Sequence, residues 1–194
     1  MTRRASVSRT TEETDITVEL DLDGSGSATA DTGIPFFDHM LQQLGKHAGW
    51  DLDVSCKGDL QVDGHHTVED CGIAIGTALA EALGDKAGIR RFASITVPLD
   101  EAAVEVVLDL AGRNFVVHEV AVPYEAIDGF DTGLLEDFVR AFAQAANMTI
   151  HVHLRYGRSP HHICEAQFKA MAKALGDACD LTGRAGVPST KGTL

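Results

Sequence analysis

The residues best suited to chemistry in this chain are two histidine pairs, each followed by a glutamate. The first copy spans His65 to Glu69 (HHTVE), and the second, 96 residues later, spans His161 to Glu165 (HHICE). On a helix, histidines three and four residues before a glutamate lie on the same face as its carboxylate. This is the spacing of metal ligands. One copy would favour an ordinary surface or core histidine, but two copies favour metal binding.

The arrangement of each pair also predicts how many ions are bound. Adjacent histidines on a helix point about 100° apart, so each pair suits two different ions better than one. Imidazole and carboxylate without thiolate suit Mn, Fe, Co, Ni or Zn, and an octahedral site with open positions favours Mn or Fe. His39 lies among apolar residues where an imidazole needs a partner, and it is a further candidate ligand. The other histidines follow no repeated pattern, and we expect structural or surface roles for them: His47, His118, His151 and His153.

The elements that must position these residues also repeat. Small apolar residues follow both histidine pairs in the same register, which indicates a duplicated unit. In the first half, alternation and helical spacing predict a strand over 15–22 joined by a hairpin turn to 27–30, a helix over 35–47, a strand over 51–56 and a helix from His65 to about Gly84. In the second half they predict strands over 95–99, 104–110 and 115–122, with a turn at 112–114 between the last two, a helix over 134–146, a strand over 149–155 and a helix to about Cys179.

These elements predict an α+β fold of duplicated half-domains, each a small, mostly antiparallel sheet with two helices on one face. We place the halves at 1–88 and 89–182, followed by a C-terminal tail at 183–194. One face of each half needs a cover, either the other half or another subunit, which makes a homo-oligomer a reasonable expectation. The tail has no apolar period and by default is mobile, but its Ser189 and Lys191 could cradle a phosphate.

Composition excludes several function classes. The formal net charge of −13 argues against a nucleic-acid surface, and the absence of a long apolar run argues against a membrane span. The N-terminal segment lacks the apolar core of an export signal. Four cysteines without a C-x-x-C pair fit buried, reduced thiols. We therefore expect a cytoplasmic protein.

The motifs together resemble the imidazoleglycerol-phosphate dehydratase family of histidine biosynthesis, in its monofunctional form, from Arg9 to Leu194. The resemblance rests on six blocks in order: Arg9 to Thr14, Gly33 to Leu41, His65 to Asp70, Pro98 to Ala102, His161 to Glu165 and Pro188 to Gly192.

The resemblance implies a shell of 24 subunits assembled from trimers, with two Mn²⁺ ions per active site held between subunits. It implies that the metal ligands are His39, His65, His66, Glu69, His161, His162 and Glu165, and that the substrate phosphate is held by Gln43, Arg91, Arg113, Lys169, Ser189 and Lys191.

The chain departs from the family pattern at one ligand position. The family commonly has His-Phe where this chain has Asp137-Phe138, and that histidine is usually a metal ligand. Asp137 could supply an oxygen ligand instead, which Mn²⁺ accepts; otherwise one metal site is incomplete. We favour replacement, because a carboxylate conserves the coordinating function.

The implied reaction removes water from D-erythro-imidazole glycerol phosphate to give imidazole acetol phosphate. The proton that is lost lies beside no carbonyl, so the usual enolate route is closed. A metal ion on one ring nitrogen would favour the imidazolate, whose electrons expel the hydroxyl as a diazafulvene forms. We predict Glu13 and Glu165 as the acid and base groups.

Two other functions use the same histidines. A metal-storage assembly would need no phosphate cradle, so Arg113 and Lys191 argue against it. A metallohydrolase would release inorganic phosphate, whereas a dehydratase leaves the phosphate on its product.

Overall fold

A computed structural model describes residues 2–123 and 126–194, which form two similar halves. The first half contains β1 (Arg4–Thr10), β2 (Thr14–Asp21), β3 (Ala28–Asp31), α1 (Pro35–Ala48), β4 (Asp51–Gly58) and α2 (His65–Leu83). The second contains β5 (Phe92–Leu99), β6 (Ala102–Asp109), β7 (Phe115–Glu119), β8 (Ala126–Ile127), β9 (Phe130–Asp131), α3 (Leu134–Ala145), β10 (Thr149–Tyr156) and α4 (Pro160–Cys179).

The two four-stranded sheets have the same topology. Their strand orders are β1-β2-β4-β3 and β5-β6-β10-β7. In each sheet two neighbouring pairs are antiparallel and one pair, β3 with β4 or β7 with β10, is parallel. The predicted α+β fold of duplicated, mostly antiparallel halves is therefore confirmed. The β8–β9 hairpin is an addition to the second half, with no matching strand pair in the described part of the first.

One predicted strand connection is wrong. Strand β2 forms no hairpin with β3, because β1 and β4 occupy both of its edges and β3 pairs with β4 instead. The chain after β2 is fastened to the start of β4, where the Asp51 carboxylate accepts hydrogen bonds from the backbone N–H groups of Ser25 and Ser27 at 2.8 and 2.9 Å. The chain reverses between β6 and β7, where a turn is predicted, but β10 lies between these two strands in the sheet, and β7 ends at Glu119, before the predicted limit of 122. Strand β1 was not predicted at all.

The helices lie between the two sheets and cover one another. Helix α1 packs on α4, and α2 packs on α3, so each half covers the helical face of the other. Four fully buried phenylalanines lie in this layer: Phe37, Phe138, Phe142 and Phe168. Every predicted ligand helix is thereby held against a helix of the opposite half.

The ends of α1 and α3 show which residues of the two halves correspond. The Trp50 N–H donates to the Gly45 carbonyl and the Met148 N–H to the Ala143 carbonyl, both at 3.0 Å. The two donors, Trp50 and Met148, are 98 residues apart in sequence, and so are the two acceptors. Strands β4 and β10 also begin 98 residues apart. Within the described residues, no helix is long and apolar enough to cross a membrane.

Candidate metal and phosphate sites

The first candidate site, the imidazole-rich cluster, consists of His39 on α1 with His161 and Glu165 on α4. A carboxylate oxygen of Glu165 lies 3.0 Å from His161 Nε2 and 3.4 Å from His39 Nε2. One ligand atom from each residue falls within 4.8 Å of the others. The other Glu165 oxygen pairs with Lys169 Nζ at 2.6 Å. Burial raises the pKa of Glu165, but Lys169 and the two imidazoles outweigh it, so its pKa is lowered and the group is ionised.

The second candidate site, the carboxylate-rich cluster, consists of His65 and Glu69 on α2 with Asp137 on α3. Glu69 lies 3.6 Å from His65 Nε2, and Asp137 lies 3.5 Å from His65 Nδ1. The two carboxylates thus flank opposite nitrogens of one ring. The Asp137 side chain is 39% exposed, and it would have to move around the ring to share an ion with Glu69 at Nε2.

The second histidine of each pair turns away from both clusters. His66 Nδ1 contacts the Asp59 carboxylate at 3.1 Å, and His162 Nδ1 contacts Glu101 at 2.7 Å. These hydrogen bonds raise the pKa of both histidines, and the one from His162 lowers the pKa of Glu101 to about 2. A carboxylate on Nδ1 leaves Nε2 as the metal-binding nitrogen of a neutral imidazole. The Nε2 atom of His66 lies 3.6 Å from Glu13 and that of His162 lies 3.9 Å from Asp100, and neither belongs to a cluster of its own chain.

Glu13 lies beside the first of these outward imidazoles, at the turn between β1 and β2. One of its carboxylate oxygens is 3.6 Å from His66 Nε2, and the side chain is 53% exposed. Its backbone carbonyl accepts a 3.0 Å hydrogen bond from the N–H of Asp59, the residue that also holds His66. The turn is fastened to α2 because buried Asp70 accepts from Thr14 Oγ1 at 2.6 Å and pairs with Arg9.

An aromatic contact supports His161. The Phe36 ring meets the His161 ring edge-on at 5.4 Å, and Phe130 of β9 packs on Phe36 at 5.3 Å. The hairpin added to the second half therefore supports a ligand of the imidazole-rich cluster.

The predicted phosphate residues fall into two groups. Four of them line a groove under the C-terminal tail: Arg91, Arg113, Ser189 and Lys191. The Arg91 guanidinium is held by both oxygens of Asp109 and donates to the Pro188 carbonyl at 2.7 Å, so it anchors the tail. The other two, Gln43 and Lys169, lie one helical turn beyond His39 and Glu165.

These two groups lie at opposite ends of α4. Glu165 is in its second turn, whereas the Arg91 N–H bonds the carbonyl of Ala178 near its last residue at 2.9 Å. Thirteen residues of helix separate these points by about 20 Å. A three-carbon phosphate ester is much shorter than this distance. One chain therefore does not bring its tail groove to its own imidazole-rich cluster.

Sequence reasoning missed the residues that hold the site residues in place. Glu101 lies within the Pro98 to Ala102 block and Asp59 follows the predicted strand over 51–56, and no role is predicted for either. The signal that could have found them is chemical, since a metal-binding imidazole generally needs an acceptor on its other nitrogen. Phe130 and Asp70 carried no such signal.

The comparisons with known proteins agree along the whole chain. The family model for imidazoleglycerol-phosphate dehydratase matches residues 32–175. The chain belongs to this family. The enzyme of that name from Parafrankia sp. is 54% identical over 195 residues, covering 100% of both chains. The one from Acidothermus cellulolyticus is 54% identical over 99% of this chain and 93% of its own.

Solved structures of the family share the fold. The Staphylococcus aureus dehydratase superposes with a TM-score of 0.84 at 34% identity, covering 92% of this chain and 99% of its own. The Pyrococcus furiosus dehydratase, solved in complex with (S)-C348, has a TM-score of 0.84 at 37% identity, covering 97% and 100%. The predicted family, a hydro-lyase of histidine biosynthesis, is confirmed. The roles of the individual site residues stay predictions.

Proposed function

We propose that this chain is a metal-dependent dehydratase that converts imidazole glycerol phosphate to imidazole acetol phosphate, and that its active sites are shared between copies of the chain. The observation that carries the proposal is the pair of clusters, each combining imidazole and carboxylate donors from opposite halves. Nitrogen and oxygen donors without thiolate fit Mn²⁺. When bound, the ions would act as Lewis acids on the substrate's imidazole ring.

The ligand set follows from what each side chain can reach. His39, His161 and Glu165 would hold one ion, and His65, Glu69 and Asp137 the other. We assign the Nε2 atoms of His66 and His162 to clusters of neighbouring chains, because neither belongs to a cluster of its own chain.

The chain's carboxylates can then be divided by role. Both oxygens of Glu165 are engaged by Lys169 and two imidazoles, and the group is ionised, so we assign it to holding metal rather than to moving protons. Glu13 is half exposed and lies beside the outward nitrogen of His66. We assign proton transfer to Glu13, with its turn fixed by Asp70.

The phosphate needs donors from more than one chain. Arg113, Ser189 and Lys191 offer a guanidinium, a hydroxyl and an ammonium in one groove, a donor set that suits a phosphate. Since this groove lies about 20 Å along α4 from Glu165, we propose that it serves the clusters of a neighbouring chain. The assembly we propose is the trimer-based shell of 24 subunits, located in the cytoplasm, where the four buried free thiols would stay reduced.

The direct test is turnover of imidazole glycerol phosphate by chelator-stripped protein with and without added Mn²⁺. We expect imidazole acetol phosphate only with metal and no inorganic phosphate. Phosphate release would instead identify a metallohydrolase, and bound metal without either product would favour metal storage.

Sharing of the site is tested by complementation between two inactive variants. His39→Ala removes a cluster ligand and Lys191→Met removes a groove cation. If groove and cluster come from different chains, mixing the two stripped variants before adding Mn²⁺ restores activity to about a quarter of wild type, the share of intact sites under random mixing. Sites built within one chain would stay inactive in every mixture.

A further inference from the structure

The two metal clusters of this chain are not equivalent, although the duplication relates them. Equivalent positions at the ends of α1 and α3 are 98 residues apart, and by the same offset His39 corresponds to Asp137. The 96-residue shift between the histidine pairs matches His161 with His65 and Glu165 with Glu69. Each ligand of one cluster thus has a counterpart in the other, and one imidazole has become a carboxylate.

A second difference lies one helical turn further along. Lys169 pairs with Glu165 at 2.6 Å, whereas its counterpart on α2 is Ile73, which carries no charge. With neutral imidazoles, the imidazole-rich cluster combines one carboxylate with one ammonium and has no net charge. The carboxylate-rich cluster has two carboxylates and a net charge of −2. Both differences act in the same direction.

This difference in charge is large enough to determine which cluster binds its metal ion more tightly. Even in the dielectric of water, one additional negative charge about 5 Å from a divalent cation changes its affinity on the order of tenfold. The partner histidine that each cluster would receive in the assembly adds an imidazole to both and does not cancel the difference. Donor type adds selectivity, because oxygen ligands accept Mg²⁺ and Mn²⁺ alike, while imidazole disfavours Mg²⁺.

We propose that the metal ions bind in sequence, with the cluster of His65, Glu69 and Asp137 filled first and with Asp137 and Lys169 setting the order. This inference rests on the proposed metal dependence. It further implies that millimolar Mg²⁺ competes for the first ion and scarcely for the second.

The experiment is a titration of the stripped protein with Mn²⁺ in the absence of substrate, following the electron paramagnetic resonance signal of free Mn²⁺. Wild type is expected to bind two ions per chain with Kd values separated by tenfold or more. Asp137→His should weaken the tighter ion at least tenfold and bring the two Kd values together. Lys169→Met should tighten the weaker ion and leave the tighter one unchanged.

Several outcomes overturn the inference. Two equal Kd values in wild type would do so, as would an Asp137→His variant that keeps the wild-type separation. Asp137→Asn, which keeps the shape of the side chain, separates loss of charge from misfolding and should also weaken the tighter ion. Protein that binds no Mn²⁺ would instead refute the proposed metal dependence. Equal binding with metal-dependent turnover would refute only the order.

Discussion

The C-terminal tail offers the sharpest prediction, because the Arg91 side chain bonds its backbone at Pro188, two residues beyond the 2.8 Å hydrogen bond from the Gly88 N–H to the Gly186 carbonyl. Arg91 donates to the Pro188 carbonyl through Nη1 at 2.7 Å, while Asp109 holds its Nε and Nη2 at 2.6 and 3.0 Å. Its side chain is 13% exposed, so water replaces these contacts poorly. Replacing Arg91 with Met keeps the aliphatic stem and removes every donor. The residues beyond Pro188 should then detach more often.

The size of the effect follows from the bond that is lost. A hydrogen bond from a charged donor contributes about 1.5–3 kcal/mol, which corresponds to roughly a tenfold to hundredfold change in the equilibrium between docked and detached tail. Backbone hydrogen exchange reports this equilibrium directly. The Gly88 amide, whose acceptor is the Gly186 carbonyl of the tail at 2.8 Å, should exchange faster by up to that factor. The KM for the phosphorylated substrate should rise as well.

The neighbouring arginine provides a matched control. Arg90 pairs with Asp180 at 3.6 Å with both side chains more than half exposed, and such a surface pair contributes at most about 1 kcal/mol. Arg90→Met should leave exchange of the Gly88 amide at the wild-type rate. The reasoning fails if Arg91→Met also exchanges at that rate, or if both variants accelerate exchange equally.

Three further predictions concern packing, pH and metal retention. Gly76→Ala places a Cβ 2.5 Å from the Phe142 carbonyl oxygen, so overpacking between α2 and α3 should lower stability by about 1–3 kcal/mol, and an unchanged urea midpoint would contradict this. Burial lowers the pKa of His118 from 6.5, so the folded state resists protonation and stability should fall as pH drops below 6.5. That loss should reach at most about 1.4 kcal/mol per pH unit and be absent in His118→Gln, as followed by thermal unfolding across pH. Glu101→Gln weakens the hold on His162 Nδ1, and we expect Mn²⁺ affinity to fall about 10- to 100-fold in equilibrium dialysis, whereas wild-type affinity would exclude a supporting role.

The helices and the duplication were predictable because their signals are local. The repeated histidine pairs and the small residues after them identify α2 and α4 as corresponding helices of the two halves. Alternating apolar residues identified β2, β4 and β10. Strand β1 escaped because its inward positions are only partly buried and carry small residues such as Ala5 and Val7, so it lacks an apolar alternation.

Strand pairing and the support of the site were not predictable, because both depend on distant segments. The Asp23-Gly24 turn favours a hairpin, yet β1 and β4 take both edges of β2. Glu101 reaches His162, 61 residues further along the chain, only because the fold brings the turn before β6 to the start of α4, whereas Asp59 reaches His66, seven residues away, through the conformation of the loop between them. The division of ligands between clusters also required the packing of α1 on α4 and of α2 on α3.

On the proposed ligand assignment each cluster draws on both halves, so neither half would build a cluster alone. The imidazole-rich cluster takes His39 from the first half, and its other ligands come from the second. The carboxylate-rich cluster reverses this, with Asp137 from the second half. Two copies of one half-length chain, packed by a two-fold axis through the helices, would build two identical clusters. Fusion into one chain removes that constraint, because each half can change without the other. An aspartate could thus replace one imidazole, and a lysine could be placed beside one glutamate, so the two clusters of a single chain acquired different charges.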